Sequence, residues 1–242
     1  MALLAAAVYV RPIALLLPPI LAMAGLLRGQ MRLAQAVTAM VVTLAVMAML
    51  IAPWTYRNYL TFDKPVLIST NFGVNFWMGN NPDSRGEYTP FGEHVVGLSE
   101  TERSEVLLEK AKAYIRAEPG AFVQRTLIKA LRLHDRETIG VAWNEKSLHR
   151  LGGDTGVFVA KFISTLYWYL MLCAGLAGAV WLCRRESLWK GLLAPPVIIW
   201  GYVTGVHAVI VISDRYHMPS IPFIALLGAG MTAAWLSGRK RT

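Results

Sequence analysis

Apolar residues along this chain fall in long blocks. Stretches without a charged side chain cover residues 12–27, 35–56, 162–183, 191–213 and 218–238. Most approach the ~20 residues with which an α-helix crosses ~30 Å of hydrocarbon, so the pattern predicts about five transmembrane helices. The first block is short and holds Pro18 and Pro19, which predicts a helix that is bent or that continues back into residues 1–10. From residue 54 to 98, Gly, Asn, Pro and aromatic residues follow no helical period, which predicts irregular loop with short strands such as Pro65–Ser69. At Ser99-Glu100-Thr101-Glu102 a capping box opens a helix, the hydroxyl and carboxylate each satisfying a free backbone amide. Leu107, Ala111, Tyr114 and Ile115 then repeat at amphipathic spacing. Pro119 restarts a second amphipathic helix with Val123, Leu127, Leu131 and His134 on one face. Both helices are expected to lie on the membrane surface or pack on the bundle, mainly as scaffold.

The predicted fold is therefore all-α and polytopic. Residues 1–53 hold the N-terminal transmembrane helices, 54–155 an extracytoplasmic loop domain with two short helices, and 156–242 three transmembrane helices and a basic tail. The opening MALLAAAVYV has no basic start and no polar stretch behind it, so it makes a poor signal peptide. It reads as the second half of a membrane helix, which predicts that the chain is the C-terminal part of a longer architecture.

Composition supports the membrane reading. Hydrophobic residues make up 55% of the 242 and charged residues 16%, with a mean hydropathy of +0.43, whereas a soluble domain carries about 25% charged residues. The net charge of +9 points to lipid rather than nucleic acid because of where it sits. Arg28, Arg32, Arg184, Arg185, Lys190, Arg239, Lys240 and Arg241 lie in short connections or the tail, accompanied there by the single acid Glu186, while residues 54–155 hold thirteen basic and thirteen acidic residues. That asymmetry predicts cytoplasmic short loops and an exported long segment. Cys173 and Cys183 are ten residues apart in one predicted helix, about 15 Å along its axis, too far to bridge. No metal-ligand spacing is present, and no cofactor is expected.

Three polar constellations fall at the same predicted membrane face: Pro53-Trp54-Thr55-Tyr56-Arg57-Asn58-Tyr59, the run Ser69–Pro82, and Asp214-Arg215-Tyr216-His217-Met218-Pro219. An arginine at a helix exit can hold a phosphate through its planar fork or simply snorkel to lipid headgroups. In the central run, Gly73, Gly79 and Pro82 permit an irregular backbone, Asn71, Asn75, Asn80 and Asn81 offer amide donors and acceptors, and Trp77 offers a stacking face. A hydroxyl-rich ligand such as a sugar suits that mixture; turn formation is the plainer alternative. Asp214 is expected to pair with Arg215.

The segments PWTYRNY, ISTNFGVNFWMGNNP, AKAYIRAEPGAFVQRTLIKALRL and DRYHMPSIPF together resemble the C-terminal half of a bacterial C-type membrane glycosyltransferase. That group is similar to the dolichyl-phosphate-mannose–protein mannosyltransferases and the lipid A aminoarabinose transferase. The resemblance runs from about Arg11 to the end; its most specific parts are Arg57-Asn58, Asn71–Pro82 and Arg215-Tyr216 with Pro219. It implies transfer of a sugar from a polyprenyl-phosphate carrier to an extracytoplasmic acceptor at a bacterial inner membrane. Arg57, Arg215 and Tyr216 would bind the carrier phosphate, and Asn58, Asn71, Asn75, Trp77 and Asn80 the sugar or acceptor. In that group the catalytic acid lies in a first extracytoplasmic loop with no counterpart here. Asp63, Asp83, Glu87 and Asp135 are expected to be solvated loop charges, so the catalytic residue is unassigned and the chain is expected to be inactive without a missing N-terminal half or a partner subunit. Two other readings stay open: a non-catalytic subunit that binds polyprenyl phosphate or a partner glycosyltransferase, and a small transporter or flippase, for which only Arg11 and Lys161 offer charges near predicted spans.

Overall fold

The structure is a computed structural model that describes residues 2–92 and 95–239, with side chains described to Ser237. The described residues are mostly helical and contain no strand, which makes the fold all-α. The helices are α1 (Ala2–Val10), α2 (Leu17–Leu27), α3 (Leu33–Phe62), α4 (Phe72–Gly79), α5 (Glu100–Ala117), α6 (Pro119–Arg132), α7 (Ile139–Trp143), α8 (Glu145–Glu186), α9 (Leu188–Leu192), α10 (Pro195–Val209) and α11 (Ile221–Arg239). Short 3-10 turns cover Pro12–Leu16 and Asp214–Ser220. Among the described residues, three segments are long and apolar enough to cross a membrane: Leu33–Phe62, Glu145–Glu186 and Asp214–Ser237. The other two apolar blocks lie on shorter helical segments, Pro12–Leu27 and the 15-residue α10.

The chain divides into two compact units, Met1–Thr126 with Val209–Val211 and Leu127–Ala208 with Ile212–Thr242. In the first, the break falls between residues 2–10 and the apolar block, ahead of Pro18 and Pro19, which lie inside α2. Pro12 forces Arg11 into an extended conformation (φ −144°, ψ 103°), which ends α1. Ala5 and Val8 of α1 and Ala14 of the turn then pack on Met47 and Ile51 of α3, with Ile68 closing the cluster.

Helix α3 runs nine residues past Pro53 instead of ending there. Proline removes one amide and crowds the preceding turn, a cost of about 3 kcal/mol inside a helix. The extension is held by bonds to the segment that follows it. Trp54 Nε1 donates to the Ile68 carbonyl (2.9 Å), Thr55 Oγ1 to that of Leu67 (2.9 Å), and Asn58 Nδ2 to those of Val66 (3.1 Å) and Ile68 (3.3 Å). The helix stops at Asp63, whose left-handed φ of 49° is one that Asp tolerates better than most residues. Residues 64–71, expected to include a strand at Pro65–Ser69, are irregular and bonded to α3 instead.

The capping box at α5 forms as expected: the Ser99 amide donates to Glu102 Oε2 (3.0 Å) and the Glu102 amide to Ser99 Oγ (3.4 Å). The Ser99 bonds hold the exposed Glu102 carboxyl below the usual range. Leu107 and Ala111 are fully buried, so the apolar stripe faces inward. Helix α6 starts at Pro119 as expected, but Val123, Leu127 and Leu131 are exposed while Lys129 is buried.

In the second unit α8 and α11 pack along small residues. A Cβ on Gly175 would lie 2.4 Å from Ile224 Cγ2, and one on Gly178 would lie 2.1 Å from the Leu227 carbonyl oxygen. Both contacts advance along the two helices together, so α8 and α11 run parallel. Close backbone approach through small residues is how apolar helices associate where lipid supplies no hydrophobic drive. Gly178→Val is therefore expected to separate the pair, because the obstacle is backbone and cannot rotate away. A thermal melt in detergent should fall by the equivalent of about 1–3 kcal/mol, whereas Gly201→Ala, with open space around its Cα, should leave it unchanged.

Candidate functional site

The sequence-predicted site residues fall on three elements. Arg57 is exposed on the last two turns of α3. Its guanidinium lies 5.2 Å from the centroid of the Trp54 ring, and Nη1 donates to Asn58 Oδ1 (3.1 Å). Asn58, only 1% exposed, thus joins Arg57 to the two carbonyls it already holds. A cation fixed on an aromatic face and an amide loses less freedom on meeting an anion than one on a free stem. Beside it, Thr55, Tyr56 and Tyr59 line an open apolar groove of about 750 Å³, shared with Leu15, Leu44 and Leu67.

The Asn/Gly run is largely helix α4. Exposed Asn71 precedes it and accepts from the Asn75 amide (3.0 Å), while Phe72 and Phe76 stack at 5.6 Å. Asn75 and Trp77 are half-buried. The glycines allow close approach: a Cβ on Gly73 would meet the Ser104 carbonyl at 1.9 Å, and one on Gly79 that of Ile210 at 1.8 Å. Asn80 is completely buried, and its Nδ2 donates to the carbonyls of Phe76 (2.9 Å), Val209 (2.9 Å) and Ile210 (3.1 Å). This amide anchors the end of α4.

Arg215 and Tyr216 belong to the second unit, in the turn that leads into α11. The Arg215 guanidinium carbon is 5.4 Å from the Trp143 ring centroid and 5.2 Å from that of Tyr216. Tyr216 is in turn stacked on His207 at 4.6 Å. The expected Asp214–Arg215 pair does not form. Asp214 Oδ2 accepts from both the backbone amide and the hydroxyl of Thr138, each at 2.9 Å. Among the described residues no carboxylate pairs with Arg215, and its Nε is buried without a hydrogen-bond acceptor.

Below this turn lies a cluster that the sequence did not single out. His217 is fully buried, stacked on Trp168 at 4.0 Å with ring planes 10° apart. Its Nδ1 lies 2.8 Å from the Leu133 carbonyl and its Nε2 2.7 Å from Glu137 Oε2. A carbonyl only accepts, so Nδ1 carries a proton, and one further proton sits between Nε2 and the carboxylate. His134 packs against both rings, 5.7 Å from Trp168 and 5.7 Å from His217, and receives Trp200 Nε1–H at 3.4 Å, with Thr204 Oγ1 at 3.0 Å from the same nitrogen. Burial, then the charge of His217, pushes the His134 pKa down to about 4, so it is neutral and Nε2 is an acceptor. The available signal was the position of His217 two residues after Arg215; its partners lie about 80 residues upstream. No group of three or more metal-binding side chains occurs among the described residues. Comparison with family models, curated proteins and solved structures finds no match.

Proposed function

We propose that this chain is the carrier-binding part of a membrane glycosyltransferase that uses a polyprenyl-phosphate sugar, and that it does not transfer the sugar alone. The observation that carries the reading is Arg215: a guanidinium flanked by two aromatic rings, at the mouth of a long apolar segment, with its neighbouring carboxylate taken by Thr138. A phosphate oxygen is the acceptor that such a fork suits best. In the other unit, the apolar groove flanking Arg57 suits a prenyl chain. The sequence resemblance assigns Arg57, like Arg215, to carrier binding.

In this reading the protein crosses the membrane about five times, with residues 54–155 outside the cytoplasm. The basic bias of the short connections supports that sidedness. The parallel course of α8 and α11 supports an intervening crossing by α10, since neighbours that run the same way need a return between them. The exposed apolar stripe of α6 suits a helix lying in the outer interface. Inactivity is supported by the state of the carboxylates: Asp214 is held by Thr138 and Glu137 by His217, so neither is poised to accept a proton from an acceptor hydroxyl. The same fact favours a second reading, a non-catalytic subunit that presents the carrier to a partner enzyme.

Arg215→Lys tests the phosphate role. It keeps the charge but loses the fork and its stacking, and is expected to weaken binding of polyprenyl phosphate in nanodiscs about tenfold to a hundredfold while inserting normally. Equal affinity in the lysine variant would make Arg215 a membrane anchor only.

A further inference from the structure

A second groove lies between the parallel helices α8 and α11, beyond their glycine contacts. Trp181 and Arg185 of α8 line it on one side and Met231, Thr232, Ala234 and Trp235 of α11 on the other, enclosing about 750 Å³. That volume lies in the range of small-molecule sites. Both helices belong to segments long and apolar enough to span a membrane. Its polar end is Arg185, whose guanidinium sits 5.2 Å from the centre of the Trp181 ring. Thr232 offers no competing group, because its hydroxyl donates to the Gly228 carbonyl (2.9 Å). Arg184 stands next to Arg185, and both are exposed.

We propose that this groove binds an acidic phospholipid, with an acyl chain along Met231 and Ala234 and the headgroup phosphate on Arg185. An arginine that merely snorkels has no defined apolar partner beneath it. Here a cation held on an aromatic face stands over a cleft between two helices, which matches both halves of a lipid. Charge selects the headgroup. A zwitterionic lipid presents its own ammonium to Arg184 and Arg185, whereas an acidic one adds only attraction, about fivefold in affinity for each basic residue near the surface. Basic pockets between membrane helices take acidic headgroups for this reason. The inference is independent of any carrier phosphate, since it involves neither Arg57 nor Arg215.

The test uses the whole chain in nanodiscs containing mixtures of phosphatidylglycerol and phosphatidylcholine, with retained lipid read by native mass spectrometry after gentle extraction. The parent is expected to retain phosphatidylglycerol several-fold over its share of the mixture. Arg185→Gln should lower that enrichment about fivefold, and Arg150→Gln, at the opposite end of α8, should not change it. Ala234→Phe fills the cleft without touching the charge and should also abolish enrichment, its helicity by circular dichroism being unchanged. If Ala234→Phe retains the enrichment while Arg185→Gln loses it, the effect is surface screening and the groove proposal is overturned. Equal retention of both lipids by the parent, or a lipid-free dimer in which a second copy fills the cleft, also overturns it.

Discussion

His217→Ala is expected to destabilise the second unit by about 3–5 kcal/mol, the largest effect anticipated for any single side chain here. The loss has two sources. Removing the ring leaves a cavity beneath Trp168, against which it stacks at 4.0 Å. It also orphans the Leu133 carbonyl and the Glu137 carboxylate, and an acceptor left unpaired inside the protein bears its full desolvation cost. Glu137→Gln is the informative control. Its amide can still donate to a neutral Nε2, so about 1–2 kcal/mol should be lost. Equal losses in the two variants would show that the ring contributes only through Glu137. His134 adds a pH dependence of known sign. Its folded pKa of about 4 lies below the ordinary 6.5, so the unfolded chain takes up the proton first. Stability should be complete above about pH 6.5 and decline as the pH falls toward 4, by about 3 kcal/mol in all. Melts at pH 7 and 4.5 should show that decline, and His134→Gln should flatten it.

How much of this was legible in the sequence depended on the range of the interaction. The Ser99–Glu102 box and the Pro119 start are decided within four residues, and both helices begin where local chemistry placed them. The all-α class and the long apolar segments follow equally from hydrophobic run length. The course of α3 past Pro53 was not legible, because it rests on donations from Trp54, Thr55 and Asn58 to carbonyls eight to fourteen residues further on. Gly73 and Gly79 suggested backbone freedom for a loop; their use is close helix contact with Ser104 and Ile210. At the candidate site, the aromatic neighbours of Arg57 and Arg215 stand close by in sequence, Trp54 three residues before the one and Tyr216 directly after the other. The partner of Asp214 was misread, since adjacency in sequence suggested Arg215 while the fold brings Thr138 from 76 residues away.

The second large effect is expected at Asn80, and it separates a structural amide from a ligand-binding one. All the donor capacity of its Nδ2 goes to backbone carbonyls, those of Phe76, Val209 and Ile210, in a fully buried setting. Asn80→Ala removes those donors from the buried carbonyls, a loss of about 1–3 kcal/mol. Asn80→Asp should be worse although it is nearly isosteric. At neutral pH it would put a carboxylate against two or three carbonyl oxygens with no water to solvate it, and a buried unpaired charge costs several kcal/mol. The aspartate variant should therefore melt below the alanine variant at pH 7.5 and recover relative to it at pH 5, where the protonated acid regains one donor. The direction follows from linkage: a carboxyl whose folded pKa is raised binds its proton more tightly in the folded state, so stability returns as pH falls. If instead both variants melt like the parent at either pH, the Asn80 amide is not anchoring α4 and its role in contacting a sugar or acceptor gains weight. Proteolysis near Asn81–Gly86 offers a local reading of the same change, because release of the α4 terminus should expose that turn first.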